Sequence, residues 1–171
     1  KSYCGGKEGV IVVDLPGAYS MSPFTSEESI TSSYVKNENP DAIINIVDST
    51  NLSRSLFFTT QLLELGVPVV VALNKWDINK KKGTKIDTAL LSEKLGCPVV
   101  KTISTNSKGL ENIVSVAVGL VGQTQTAPFS QGNVVLTSKE ASELADRERF
   151  KFVNEIVDAV EKRKIHTKSF I

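Results

Sequence analysis

Histidine is almost absent from this 171-residue chain: the single one, His166, lies close to the C-terminus. A histidine-based metal or catalytic centre is therefore not expected. Cysteine is nearly as scarce. Cys4 and Cys97 match no metal or redox spacing, and reduced thiols of a cytosolic protein are the expectation. Neither sign of charge dominates, since 20 Lys and Arg face 19 Asp and Glu for a formal charge of +1. That balance gives no reason to invoke nucleic acid, and no nucleic-acid partner is expected. No apolar run reaches the roughly 18 residues of a transmembrane helix. Residues Lys1 to Gly9 are polar and glycine-rich, unlike a secretory leader. This piece is expected to be soluble, whatever a parent protein carries after Ile171.

What is present is core material. Hydrophobic residues make up 40%, enough for one domain of ordinary size, alone or with a short helical appendage. Gly9–Asp14, Ala42–Asp48, Val67–Asn74 and Cys97–Ser104 are near-continuous apolar runs, and each ends in a polar residue. Such runs predict parallel strands buried on both faces, because a strand with one wet face would alternate. Between them, Leu52–Leu65 predicts a helix with Leu56, Phe57, Thr60, Leu63 and Leu52 inward, candidate caps in 48–51, and Gly66 as its stop. Asp87–Leu95 predicts a shorter helix stopped by Gly96, with Leu90, Leu91 and Leu95 apolar, and Gly109–Val121 another carrying Ile113, Val114 and Val118. Alternating strands and helices imply a three-layer α/β domain with a mostly parallel sheet.

The composition changes at Gly122. Residues 122–137 read as a linker rich in Gln, Thr, Pro and Ser, which divides the chain into a domain over 1–121 and a helical region over 138–171. From Ser138 to about Lys164 an amphipathic helix is expected, with Phe150, Val153, Ile156, Val157 and Val160 on one side. Lys162, Arg163 and Lys164 would suit its negative end, and read as solvated charge rather than a nucleic-acid patch.

The chemistry is concentrated at three strand ends. Asn74-Lys75-Trp76-Asp77 comes immediately after a hydrophobic run. A carboxylate at Asp77 can accept from both the ring N–H and the exocyclic amine of guanine, which adenine cannot offer. Asn74 can tie the loop to neighbouring backbone, and the stem of Lys75 can lie against a flat base. A wrong base leaves a desolvated polar group unpaired, at about 1–3 kcal/mol or more. Asp14-Leu15-Pro16-Gly17 closes the first run: Asp14 can hold the water shell of a phosphate-bound magnesium ion, and Gly17 can present its N–H to a terminal phosphate. Ser104-Thr105-Asn106 follows the last run and can offer backbone N–H groups to the guanine carbonyl. Singly, Asp14 is equally a strand terminator, Asp77 a turn residue and Ser104 a loop residue. The ordered set at successive strand ends is harder to explain that way.

In this order the motifs resemble those of the small-GTPase-like superfamily. The wider sequence resembles the cytosolic N-terminal part of the bacterial ferrous iron transport protein B family. The resemblance runs through residues 12–20, Ser26-Glu27-Glu28, 45–48, 51–56, 61–68, 95–99 and the helix around Arg149–Val153, and so covers nearly the whole chain. It implies a P-loop-GTPase-like fold with GTP or GDP and Mg2+ as cofactors and K+ as an open candidate. It implies slow GTP hydrolysis in a regulatory domain at the cytoplasmic face of the cell membrane. The partners would be guanine nucleotide and the transmembrane Fe2+ permease region of the same parent chain, with a homo-oligomer left open. By motif match, Asn74, Lys75 and Asp77 with Ser104, Thr105 and Asn106 would hold the base. Asp14 and Gly17 would sense the phosphate, Asp14 meeting Mg2+ through water. The mobile switch would be Asp14, Leu15, Pro16, Gly17, Ala18, Tyr19 and Ser20. Ala18 stands where many regulatory GTPases place a water-orienting glutamine, so low turnover is expected and no catalytic residue is assigned.

One departure is large. No Gly-x-x-x-x-Gly-Lys-Ser/Thr sequence occurs, and Lys1-Ser2 stands too near Asp14 to serve as its end. The front strand and phosphate loop of the fold are thus not expected in these residues, and a fragment unable to bind GTP strongly or turn it over alone is the expectation. A non-hydrolytic interaction module with the GTPase shape, and a ribosome- or RNA-associated GTPase, stay open as alternatives.

Overall fold

Five successive side chains, Val69 to Leu73, are almost fully excluded from water, and the rest of the chain is arranged around them. The structure, a computed structural model, describes residues 9–17, 26–103, 107–130 and 138–163. In chain order its elements are α1 (Ser26–Glu38), β1 (Ile43–Asp48), a 3-10 turn (Ser49–Asn51), α2 (Leu52–Leu63), β2 (Val69–Asn74) and α3 (Trp76–Lys81). There follow β3 (Thr84–Ile86), α4 (Thr88–Leu95), β4 (Val99–Lys101), α5 (Ser107–Leu120), α6 (Lys139–Val160) and β5 (Glu161–Arg163).

The main sheet has the order β1-β2-β4, and both pairings are parallel. Side chains of β2 alternate between two cores. Val69, Val71 and Leu73 meet Leu56 and Leu63 of α2, Leu91 and Leu95 of α4, and Val153, Ile156 and Val160 of α6. Val70 and Ala72 meet Ile113 and Ala117 of α5 on the other face. Helices therefore cover both faces, which is the three-layer α/β arrangement that the apolar runs imply. Full burial of each Val or Leu contributes about 1.5–3 kcal/mol before entropy is counted.

The helices stop where the sequence indicates. Asp87 caps α4 by accepting from Leu90 N–H at 3.0 Å, and Gly96 ends it at φ +72°, a conformation costly for any residue with a Cβ. Ser138 caps α6 through Ala141 N–H at 3.1 Å. The helix α2 ends at Leu63, two residues short of the expected span, ahead of Gly66 at φ +79°.

Several expectations need correction. Residues 10–17 form no strand, and Ile11 and Val13 are 77% and 46% exposed. A β-branched run becomes a strand only with a ladder partner, and no described strand pairs with this one. The last helix ends at Val160 instead of near Lys164, because Glu161–Arg163 leaves it to pair antiparallel with Thr84–Ile86. Lys162 and Arg163 are thus strand residues, not a helix end, and Lys164 lies outside the described residues. On α5, Val118 faces solvent and Ala117 takes the buried position. In the segment read as a linker, Gln125 donates to Gly96 C=O at 3.0 Å and accepts from Val69 N–H at 3.4 Å.

The helix α2 is buried nearly all round, including Phe58, Thr59 and Leu62 outside the expected stripe. The sheet covers one side, where the Thr59 hydroxyl donates to Oδ1 of the buried Asn45 side chain at 2.5 Å. The helix α6 covers another. Its Arg149, 2% exposed, donates to Thr60 Oγ1 at 3.1 Å and to Glu64 Oε2 at 2.9 Å. The guanidinium also lies 5.2 Å from the Phe129 ring and 5.9 Å from Phe57, whose ring meets Phe150 at 4.3 Å. A buried charge is tolerable only when paired, and here two of the three guanidinium nitrogens are paired while the buried Nε makes no hydrogen bond among the described residues.

Two outcomes follow. Replacing Arg149 by Ala leaves hydrogen-bonding groups of α2 without their donor, and thermal unfolding should show a loss of about 3 kcal/mol, roughly 6–12 °C in Tm. Lys at 149 keeps a charge but neither the fork nor the ring stacking, and should recover less than half of that loss. The thiol of Cys97 is buried, which pushes its pKa from the ordinary 9.0 up to about 12. In a Cys4→Ser background it should resist an aromatic disulfide reagent at pH 8 until the chain is unfolded in urea. Its contribution to stability is complete below pH 9.0 and declines as pH rises toward 12, because the unfolded thiol ionises first.

Candidate functional site

Parallel pairing brings the polar strand ends together. The register runs from Ile43↔Val69 to Asp48↔Asn74, so β1 and β2 end level. The strand β4 joins from the other side, with Thr102 N–H bonded to Leu73 C=O at 2.9 Å. An open α/β sheet presents ligand-binding loops at this carboxyl edge.

The Asn74-Lys75-Trp76-Asp77 segment turns sharply there. Lys75 has φ +59° and ψ 22°, a left-handed conformation that costs a residue with a side chain about 1–2 kcal/mol. Strain of this kind gathers at ligand-holding turns. The twist lets α3 start immediately, so that Asp77 occupies its first turn, half-buried. Ile78 N–H closes the turn onto Lys75 C=O at 3.1 Å. Lys101 of β4 places its ammonium 5.2 Å from the Trp76 ring, joining two of the strand ends.

Lys75 is not solitary. Its Nζ lies 3.0 Å from Asp48 Oδ2. The other carboxylate oxygen of Asp48 accepts from Thr50 N–H at 2.9 Å and Thr50 Oγ1 at 2.6 Å. Burial pushes the Asp48 carboxyl up, but the Thr50 and Lys75 hydrogen bonds and the Lys75 charge outweigh it, and the net shift is downward. Within α3, four residues after Lys75, the buried Asn79 donates from Nδ2 to Ser49 C=O at 2.6 Å. Asp48 and Asn79 were not among the sequence candidates for base binding. Asp48 reads in sequence as a cap, which it also is. Its position at a strand end was the available signal, whereas Asn79 gave none.

Among the described residues Asn74 makes no side-chain hydrogen bond, while Lys75 and Asn79 join the loop to Asp48 and Ser49. Asp14 and Gly17 lie on the unpaired segment, and no hydrogen bond or ion pair among the described residues joins Asp14 to the Asn74–Asp77 turn. Ser104, Thr105 and Asn106 of the expected carbonyl-binding loop, and Ala18, Tyr19 and Ser20 of the expected switch, lie outside the described residues. No group of three or more potential metal ligands occurs among the described residues. Asp14 is one exposed carboxylate, which fits a contact through water and does not build a magnesium shell. A cavity of about 460 Å³ lined by Ser49, Asn79, Lys82, Thr84, Glu161 and Arg163 includes none of Asn74, Lys75 and Asp77. No helix among the described residues is long and apolar enough to cross a membrane.

The turn thus carries a carboxylate at Asp77 and a lysine paired at its ammonium, and comparison with known proteins gives the family to which the chain belongs. The family model described as ferrous iron transport protein B matches residues 2–117. The chain is 47% identical over 106 residues to the Fe(2+) transporter FeoB of Salmonella typhimurium and 45% identical to that of Escherichia coli, covering 60% of this chain in each case. It spans about 14% of the length of these relatives. Among solved structures, a GDP-bound variant of the S. thermophilus FeoB G-domain superposes with TM-score 0.74 at 29% identity, over 87% of this chain and 80% of that one. The cytosolic domain of T. maritima FeoB in its GMPPNP form gives TM-score 0.78 over 91% and 88%, and at 23% identity it speaks for the fold alone. By the extent of the family match, the chain belongs to the ferrous iron transport protein B family.

Proposed function

We propose that this chain is the guanine-reading and phosphate-sensing part of a regulatory GTP-binding module that serves a membrane Fe2+ transporter. The observation that carries the proposal is the left-handed turn at Lys75, which follows a buried strand, puts Asp77 in the first turn of α3 and leaves the Lys75 ammonium paired with Asp48. Asp77 accepts from the guanine ring N–H and exocyclic amine, and the Lys75 stem covers one face of the base. Ser104, Thr105 and Asn106 present N–H groups to the guanine carbonyl. Asp14 and Gly17 respond to the magnesium-bound terminal phosphate, with residues 14–20 as the switch. Bound Mg2+ would supply charge neutralisation at the phosphates, and Asp14 would hold its water. Support comes from the family membership and from the GDP-bound state of the S. thermophilus relative.

Hydrolysis in this proposal is slow, because Ala18 has no group that could orient water. The helix α6, fastened to α2 through Arg149, is the first element of a helical region that faces the permease of the parent chain. Base contacts dominate binding by these residues, since the sequence contains no Gly-x-x-x-x-Gly-Lys-Ser/Thr loop for the phosphates.

The only tryptophan of the chain, Trp76, sits inside the base-reading segment and reports on it directly. Its emission should change on titration with guanosine and with GDP, with Kd values within about tenfold of each other, a difference of about 1.4 kcal/mol. Equal amounts of ADP should leave it unchanged. Asp77→Ala should weaken GDP binding about 10- to 100-fold, as expected when two donors of a desolvated base lose their acceptor. A response to ADP equal to that for GDP, or none to any guanine compound at saturation, would refute the assignment.

A further inference from the structure

The end of β1 and the turn that follows it hold the base-reading segment at two points. Lys75 reaches Asp48 Oδ2 at 3.0 Å, and Asn79 reaches Ser49 C=O at 2.6 Å. The segment between them carries Trp76 and Asp77. We propose that Asp48 is a positioning residue for base recognition: its carboxylate fixes the Lys75 ammonium so that the lysine stem forms a standing wall of the base slot next to Asp77. This role rests on the guanine-reading function proposed above and adds to it a residue on a different strand.

Three features separate this from an ordinary surface ion pair. First, Asp48 is itself immobilised. Its Oδ1 is occupied by Thr50 N–H and Thr50 Oγ1, and its backbone N–H donates to Ser55 Oγ at 3.2 Å. Oδ2 is thereby aimed at one partner. Second, the strand register leaves no freedom in where that partner stands, because Asp48 lies opposite Asn74, the residue before Lys75. Third, the pair is half-exposed, 49% at Lys75 and 36% at Asp48, where an ion pair does little for stability. It does, however, remove rotamer freedom from a long side chain that would otherwise have to be ordered when a base arrives. The same pair also restrains Lys75, whose left-handed backbone is unfavourable for lysine.

The substitution Asp48→Asn isolates the charge, because the amide oxygen still accepts from Thr50 and the cap is kept. The full 171-residue chain, followed by Trp76 emission with GDP as the probe, should lose about 3- to 10-fold in affinity on this change. Its Tm should move by less than about 2 °C. Lys75→Met, which keeps the stem without the ammonium, should lose a similar factor. The double variant should bind no more weakly than Lys75→Met alone, and Asp48→Glu should recover part of the loss. A double variant whose losses multiply shows that Asp48 acts without Lys75 and overturns the positioning role, leaving guanine recognition intact. An Asp48→Asn chain that loses stability in step with affinity overturns it too, by making Asp48 a structural residue. A wild-type chain that binds no guanine compound removes the functional reading, and this role falls with it.

Discussion

The parallel register of β1 on β2 is the constraint on which the rest of the molecule depends. Six consecutive pairs, from Ile43↔Val69 to Asp48↔Asn74, make the two strands end at one level. A slip of one residue would exchange the faces of every side chain on β1. Val47 would leave the core beneath α2, and Asn45 would lose Thr59. Asp48 would move away from Lys75 as well. The buried apolar runs thus fix the placement of charged groups that take no part in the core. This is the ordinary economy of open α/β sheets: the interior sets the register, and the register sets the geometry of the edge.

From that edge a second line of contacts runs along α2. Its N-terminal end follows the 48–51 turn, and farther along Thr60 and Glu64 receive Arg149 of α6. One helix is therefore touched both by the turn that anchors the Asn74–Asp77 segment and by the long helix α6. Burial on nearly every side makes α2 stiff, because packed interiors resist small displacements. A change in the position of α6 cannot be absorbed by a loose α2 surface. It must either break the Arg149 contacts or carry α2 with it.

Much of this was legible in sequence wherever one local rule decided the outcome. Apolar runs near 43–48 and 69–74 gave parallel strands, Asp87 and Gly96 bounded α4, and Ser138 opened α6. The failures have a common cause in tertiary partners. Residues 9–14 have the composition of a strand but no described neighbour to pair with. Conversely Thr84–Ile86 and Glu161–Arg163 are strands only because they meet each other, and at three residues each they carry no readable period. The helix α1 carries no readable stripe, because few of its positions are apolar and, among its described side chains, only Thr31 and Val35 are buried. Arg149 is the plainest case: a charged residue reads as surface, and only the acceptors and rings around it make its burial tolerable. At the candidate site, Asn74, Lys75 and Asp77 were visible as a motif. Asp48 was visible as a cap and a strand end but not as the partner of Lys75, which lies 27 residues away.

Specificity and affinity are separate quantities, and the residues of this chain bear on them unequally. Discrimination between bases is a difference between two binding energies, and it comes from groups left unpaired by the wrong ligand. In the proposed function that penalty falls to Asp77, which follows a left-handed turn at Lys75 that is paired with Asp48. Tight binding of a nucleotide draws instead on phosphate contacts, for which a cradle of backbone N–H groups and a lysine is the usual device. The two tasks can therefore reside in different stretches of one fold. Under the proposed function, the turn at Lys75 and Asp77 decides which base is accepted whether or not the phosphates are gripped. The role of Asp48 is then to keep that decision independent of the phosphate end: it orders the lysine wall before any ligand is present.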